Sequence, residues 1–173
     1  MSIQSNYELA KKTAKNVIME NSIFNAPASH IGQIIKNYGL NPIIANFPNN
    51  YSNISGFIHF ETKTIYVNAQ EPIQRQVFTL AHELGHWLLH KKLYEENKIQ
   101  YEVLYRQPLN KQDLSKEEKE ANCFAAQLLV PKNLLDQYRK TYPFVTNDSL
   151  AKLFGVSLEM INFRIMNIDK GFD

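Results

Sequence analysis

Residues 72–90 constrain this chain more than any other segment, because they combine the pattern of a buried helix with a line of titratable side chains. Pro72 is suited to the first turn of a helix, and the apolar pattern that follows runs to about His90. Placed at about 100° per residue, Arg75, Thr79, His82, Glu83, His86 and His90 fall within one stripe roughly 100° wide. Val77, Phe78, Leu80, Ala81, Leu84, Trp87, Leu88 and Leu89 cover the remaining circumference. A helix apolar on nearly every other side is predicted to lie inside a domain. Burying uncompensated imidazoles and a carboxylate costs on the order of 2 kcal/mol or more per group, so the stripe requires a compensating partner.

The spacing His82-Glu83-Leu84-Gly85-His86 identifies one. Residues four apart lie one turn above each other, so two imidazoles can point at one tetrahedral zinc ion. Glu83 need not bind the metal; its carboxylate can take a proton from a metal-activated water and pass it to a leaving amine. His90 shares the stripe but lies eight residues from His82, about 12 Å along the axis, too far for one ion to take all three histidines. It reads as a hydrogen-bonding histidine near a helix C-terminus, with a contact behind the metal ligands or to substrate as the lesser alternative. The metzincin extension needs Gly at 89 and His at 92, where this chain has Leu89 and Lys92.

The remaining sequence bounds the setting. With 173 residues, 44% hydrophobic and 21% charged, the chain has enough apolar surface for one sizeable core, which excludes a mostly disordered protein. Nineteen basic residues against seventeen acidic ones, spread along the chain, predict no strong pull toward nucleic acid or anionic membrane. The lone Cys123, the absence of a signal-peptide pattern and the absence of an apolar run of about 20 residues make a reducing, cytoplasmic setting the expectation. Cys123 reads as a small core hydrophobe.

Residues near 5 to 20 are predicted to form an amphipathic helix with Leu9, Thr13, Val17 and Ile18 on its apolar face. A short helix follows from Pro27 to Gly39. Three β-like stretches come next, Pro42 to Phe47, Ile54 to Phe60 and Thr64 to Val67, with Glu61-Thr62-Lys63 short enough to close a hairpin. Lys91 to Asp113 reads as a long excursion or lid. Ser115 with Glu118 resembles a capping box that opens a helix ending at Pro131. The C-terminal stretch, capped at Asn147 or Asp148 and again at Ser157, resembles a helix-turn-helix. Its second helix offers only Asn162 and Arg164 as base-reading donors and also carries Glu159, so packing or protein recognition is expected rather than direct DNA binding.

A catalytic zinc usually takes three protein ligands and an open position. The downstream acidic candidates are Glu95, Glu96, Glu102, Asp113, Glu117, Glu118 and Glu120, and periodicity does not select among the last three cleanly. The stretch from Glu120-Ala121-Asn122 to Leu129-Val130-Pro131, following His82-Glu83-Leu84-Gly85-His86, resembles the paired signature of the ImmA/IrrE metallopeptidases. That resemblance covers about Ile54 to Pro131, and more loosely Leu150 to Ser157. It implies Glu120 as the third zinc ligand, an active site similar to that of gluzincins, and helix-turn-helix transcriptional repressors as substrates.

The expectation is therefore an α+β fold, a small antiparallel or mixed sheet packed against the central HExxH helix with helical flanks at both ends. Residues 1–140 form the peptidase domain, and 141–173 a small helical appendage packed on it. His82, His86 and Glu120 hold Zn2+ and Glu83 is the general base. The alternative is a non-proteolytic antirepressor that grips a repressor through its helical surface. Asn122, as a partner behind the ligands, and Arg75, as a carboxylate or substrate contact, carry no assigned role. No spacing selects an oxyanion-stabilising Tyr or His.

Overall fold

A computed structural model describes residues 6–96, 103–105 and 114–172. The architecture is α+β, as the sequence predicts. Helix α1 spans Tyr7–Glu20, and a 3-10 turn at Pro27–His30 leads into α2, Ile31–Asn37. Strands β1 (Asn41–Ala45), β2 (Gly56–His59) and β3 (Thr64–Asn68) precede the long helix α3, Ile73–Glu96. Strand β4 (Val103–Tyr105) and helices α4 (Lys116–Leu129), α5 (Lys132–Thr141), α6 (Asn147–Phe154) and α7 (Leu158–Asp169) complete the order.

The sheet is mixed, with strands ordered β1-β3-β2-β4. β2 and β3 form the expected antiparallel hairpin, β1 runs parallel to β3, and β4 adds antiparallel to β2. Alternation sorts the hairpin's side chains: Ile58 faces Ile65 in register and both are fully buried. On the opposite face the registered pair Phe57 and Tyr66 stack with ring centroids 5.1 Å apart.

Helix α3 packs between the sheet and helices α1, α2 and α4. This placement answers the all-round apolar pattern of its sequence. Gly85 sets the α3–α4 spacing, since a Cβ there would meet Phe124 Cδ1 at 2.9 Å and the Ala121 Cα at 3.3 Å. The two helices therefore meet closely beside His82 and His86.

Three expectations need correction. The buried face of α1 is Ala10, Ala14 and Val17, while Leu9 is exposed; the small alanines permit the close α1–α4 contact that a leucine stripe would hold apart. Helix α3 does not end near His90. Tyr94 is buried and stacks on Phe60 at 4.5 Å, and Lys91 reaches Glu95 at 3.6 Å, so the last turns have both an apolar anchor and an ion pair. Within the stretch read as a lid, Lys91 to Glu96 is thus helical and Val103–Tyr105 is a strand. Residues 97–102 and 106–113 lie outside the described residues.

The C-terminal helices share the core, with Leu150, Phe154 and Ile161 buried in the same cluster as α3 and α4 residues. Arg164 is buried, its Nε donating to Val130 O at 3.0 Å and its Nη2 to Gln127 Oε1 at 2.7 Å. The sequence marked this arginine as a base-reading donor; in the fold it ties α7 to the end of α4.

Candidate metal centre

The α3 stripe is buried: His82 and Glu83 are 0% exposed, His86 1% and His90 4%. The one-turn offset predicted from the spacing is realised, with His82 Nε2 and His86 Nε2 2.9 Å apart. The carboxylate that meets them comes from Glu118. Its Oε2 lies 3.2 Å from His82 Nε2 and its Oε1 3.0 Å from His86 Nε2. A tetrahedral ion about 2.0–2.1 Å from each donor sets donor atoms about 3.3 Å apart, close to these separations.

Tautomers sharpen the fit. His82 Nδ1 lies 3.0 Å from Asn122 Oδ1, and a carbonyl oxygen only accepts, so Nδ1 carries the proton. In the neutral ring this leaves the His82 Nε2 lone pair directed at His86 and Glu118. Converging nitrogen lone pairs and a carboxylate are mutually repulsive unless a cation is shared among them. His82, His86 and Glu118 thus form a group able to hold a metal ion. Burial opposes ionisation of Glu118, but where a proton is the cation shared, hydrogen bonding and charge from His82 and His86 outweigh it and hold its carboxyl well below the ordinary carboxylate range.

Glu120, which the resemblance implies as the third ligand, is not brought to the histidine pair. Its Oε2 lies 2.9 Å from His90 Nε2, and its Oε1 accepts from the Asn6 backbone N–H at 2.5 Å. Helical phase is the reason. Glu118 and Glu120 are about 200° apart on α4 and flank its buried face of Ala121, Phe124, Ala125 and Leu128 on opposite sides. Burial works against ionisation of Glu120, yet the Asn6 N–H and His90 outweigh it and lower its carboxyl. Burial lowers His90 and wins over the opposing pull of Glu120, which favours a neutral ring.

In the sequence Glu118 is one of several acidic candidates, and a capping role accounts for it locally. The Ser115 Oγ does accept from the Glu118 N–H at 3.2 Å, so the backbone half of that reading holds while the carboxylate goes to the histidines. Asn122 gives the signal that selects it: four residues after Glu118, it sits on the same flank of α4 and holds His82. Arg75 Nε donates to Ser55 Oγ at 3.3 Å rather than to a ligand carboxylate. His30 pairs with Asn25 and His59 with Thr62, so both are engaged away from the α3 histidines. Cys123 is half-buried against the core.

Fold and site together define a class, α+β domains in which an HExxH helix meets a glutamate from a neighbouring helix to form a His/His/Glu site. The family model described as IrrE N-terminal-like domain, a peptidase family, matches residues 35–166, and the chain belongs to this family, the ImmA/IrrE metallopeptidases. It is 22% identical over 148 residues to the metallopeptidase ImmA of Bacillus subtilis (strain 168), covering 80% of this chain and 83% of that protein. To the uncharacterized immunity region protein 2 of Bacillus phage phi105 it is 29% identical over 129 residues, 72% of this chain and 73% of that one. A solved Mycobacterium tuberculosis transcriptional regulator shares the fold with a TM-score of 0.64 at 16% identity; the match covers 90% of this chain and 54% of that structure, so the chain spans about half its length.

Proposed function

We propose that this chain is a zinc-dependent endopeptidase in which His82, His86 and Glu118 hold the ion and Glu83 is the general base. The observation that carries the reading is the meeting of two Nε2 atoms and the Glu118 carboxylate beside a fully buried glutamate on the same helix. The chemistry such an ion supplies is Lewis acidity, which acidifies water and polarises a peptide carbonyl. His82, His86 and Glu118 fix its position, and Asn122 keeps the His82 lone pair directed inward. Glu83 accepts the proton of the attacking water and delivers it to the leaving amine nitrogen, so no covalent intermediate with the protein forms.

The substrate we assign is a helix-turn-helix transcriptional repressor in the cytoplasm, cleaved to relieve repression. The support is kinship: one relative is a metallopeptidase and another belongs to a phage immunity region. Among the described residues, no helix is long and apolar enough to cross a membrane.

The test combines metal analysis of the purified chain with incubation of wild type and Glu83→Gln against helix-turn-helix repressors of the same genome, beginning with any encoded beside its gene, read by mass spectrometry. Stoichiometric zinc, a cut repressor and an inactive Glu83→Gln variant are expected. A repressor released from DNA uncut by the zinc-loaded wild type would instead establish the antirepressor reading.

A further inference from the structure

Behind the metal-facing side of His86 runs a second line of buried polar groups that the proposed chemistry does not use. His86 Nδ1 lies 3.2 Å from His90 Nδ1, His90 Nε2 lies 2.9 Å from Glu120 Oε2, and Glu120 Oε1 accepts from the Asn6 N–H at 2.5 Å. His86, His90 and Glu120 are each at most 5% exposed. Groups of this kind, buried and mutually paired between α3 and α4 and tied to the cap of α1, need their donors and acceptors to alternate without a conflict.

Only one arrangement of protons achieves that with neutral rings. Glu120 as a carboxylate is acceptor-only, so His90 Nε2 must carry a proton and donate it. A neutral His90 then has a bare Nδ1, which can only accept. His86 Nδ1 must therefore be the donor, and a neutral His86 is left with its lone pair on Nε2, the atom 3.0 Å from Glu118. The direction of the chain is set at its far end. The Asn6 N–H, at the cap of α1, and the Lys116 ammonium, 3.7 Å from Oε1, both favour a charged Glu120.

We propose that His90 and Glu120 are positioning residues which fix the tautomer and ring orientation of His86, through a relay anchored at the start of α1. This rests on the reading of His82, His86 and Glu118 as metal ligands. A metal-ligating histidine commonly donates its second N–H directly to a carboxylate or carbonyl. Here a histidine stands between ligand and carboxylate, so the N-terminal helix, 114 residues away in sequence from Glu120, is linked to the metal site. His82 is held separately by Asn122, and the two ligands are thus oriented from different sides.

The first test needs no variant and no metal. Long-range 1H–15N correlation spectra of the imidazoles of the metal-free full-length chain should show a proton on His86 Nδ1, with or without a second one on Nε2 shared with Glu118, and His90 as the Nε2–H form. The opposite tautomer on either ring overturns the relay. The second is competition of zinc against a chromophoric chelator. His90→Leu, which can neither accept nor donate, should weaken zinc binding roughly 10–100-fold. His90→Gln, whose amide oxygen accepts and whose amide nitrogen donates, should recover most of that loss. Glu120→Gln should behave like His90→Leu, because its NH2 must face either His90 Nε2–H or the Asn6 N–H. Equal zinc affinity in wild type and His90→Leu overturns the proposal. A wild type that binds no zinc refutes the metallopeptidase reading instead, and leaves the tautomer measurement to decide the relay on its own.

Discussion

Two glutamates two residues apart on α4 have different partners, and the difference yields a direct comparison. Glu118 faces both imidazole Nε2 atoms, whereas Glu120 is one histidine removed from them. Glu118→Ala is expected to abolish stoichiometric zinc binding. Glu120→Ala should keep one zinc per chain at saturating metal but with affinity lowered by about 10–100-fold. Inductively coupled plasma analysis after dialysis, paired with chelator competition, separates these outcomes; full zinc retention by Glu118→Ala would refute the assignment. Asn122→Ala should weaken zinc by a similar factor to Glu120→Ala, since it frees the His82 ring to adopt the wrong tautomer. The pair His82 and His86 was legible in the sequence because one spacing rule, four residues on one helix, fixes their meeting. The third member was not. Its position depends on the rotation of α4 against α3, and a capping motif at Ser115 and Glu118 offered a sufficient local explanation for the same residue.

At the scale of elements, the sequence predicted those whose signals are local. The β2–β3 hairpin follows from two β-branched runs and a short connection, and α4 from its cap and Pro131. The end of α3 is not legible locally, because its continuation depends on Tyr94 stacking on Phe60, a contact between residues 34 apart that no local pattern encodes. The α3–α4 contact is likewise tertiary, and it leads to a prediction about the glycine inside the metal motif. Ala in place of Gly85 gains up to about 1 kcal/mol of helix propensity. Its Cβ, however, meets the buried Phe124 ring at 2.9 Å and the α4 backbone at 3.3 Å, and overpacking of this kind costs about 1–3 kcal/mol. Gly85→Ala should therefore be neutral to destabilising by about 2 kcal/mol in urea unfolding. It should also lower zinc affinity, because relief of the clash moves α4, and Glu118 with it, away from α3. A stabilised variant with undiminished zinc affinity would show that the helix spacing does not tune the site.

For the whole molecule, the metal centre and the C-terminal helices bear on how the chain unfolds. The proposed ligands on α3 and α4 would join the two helices of the central packing, so zinc that binds only the folded state would add stability, about 4 kcal/mol at free zinc 1,000-fold above its Kd. Chelation should lower Tm accordingly, in a zinc-concentration-dependent way. Helices α6 and α7 share the core cluster of α3 and α4 instead of enclosing one of their own, and Arg164 donates to the carbonyl that ends α4. The segment 141–173 is on this ground expected to unfold together with the rest. Arg164→Ala removes buried, charge-assisted hydrogen bonds to Val130 O and Gln127 Oε1 and leaves acceptors to be satisfied elsewhere, a loss of about 2–3 kcal/mol. For a chain of this size that corresponds to a Tm lowered by roughly 4–12 °C. Calorimetry of the zinc-loaded protein should show one transition that shifts as a unit in the variant. A second, low-temperature transition confined to the variant would mean that α6 and α7 form a separate unit docked on the peptidase body through this arginine.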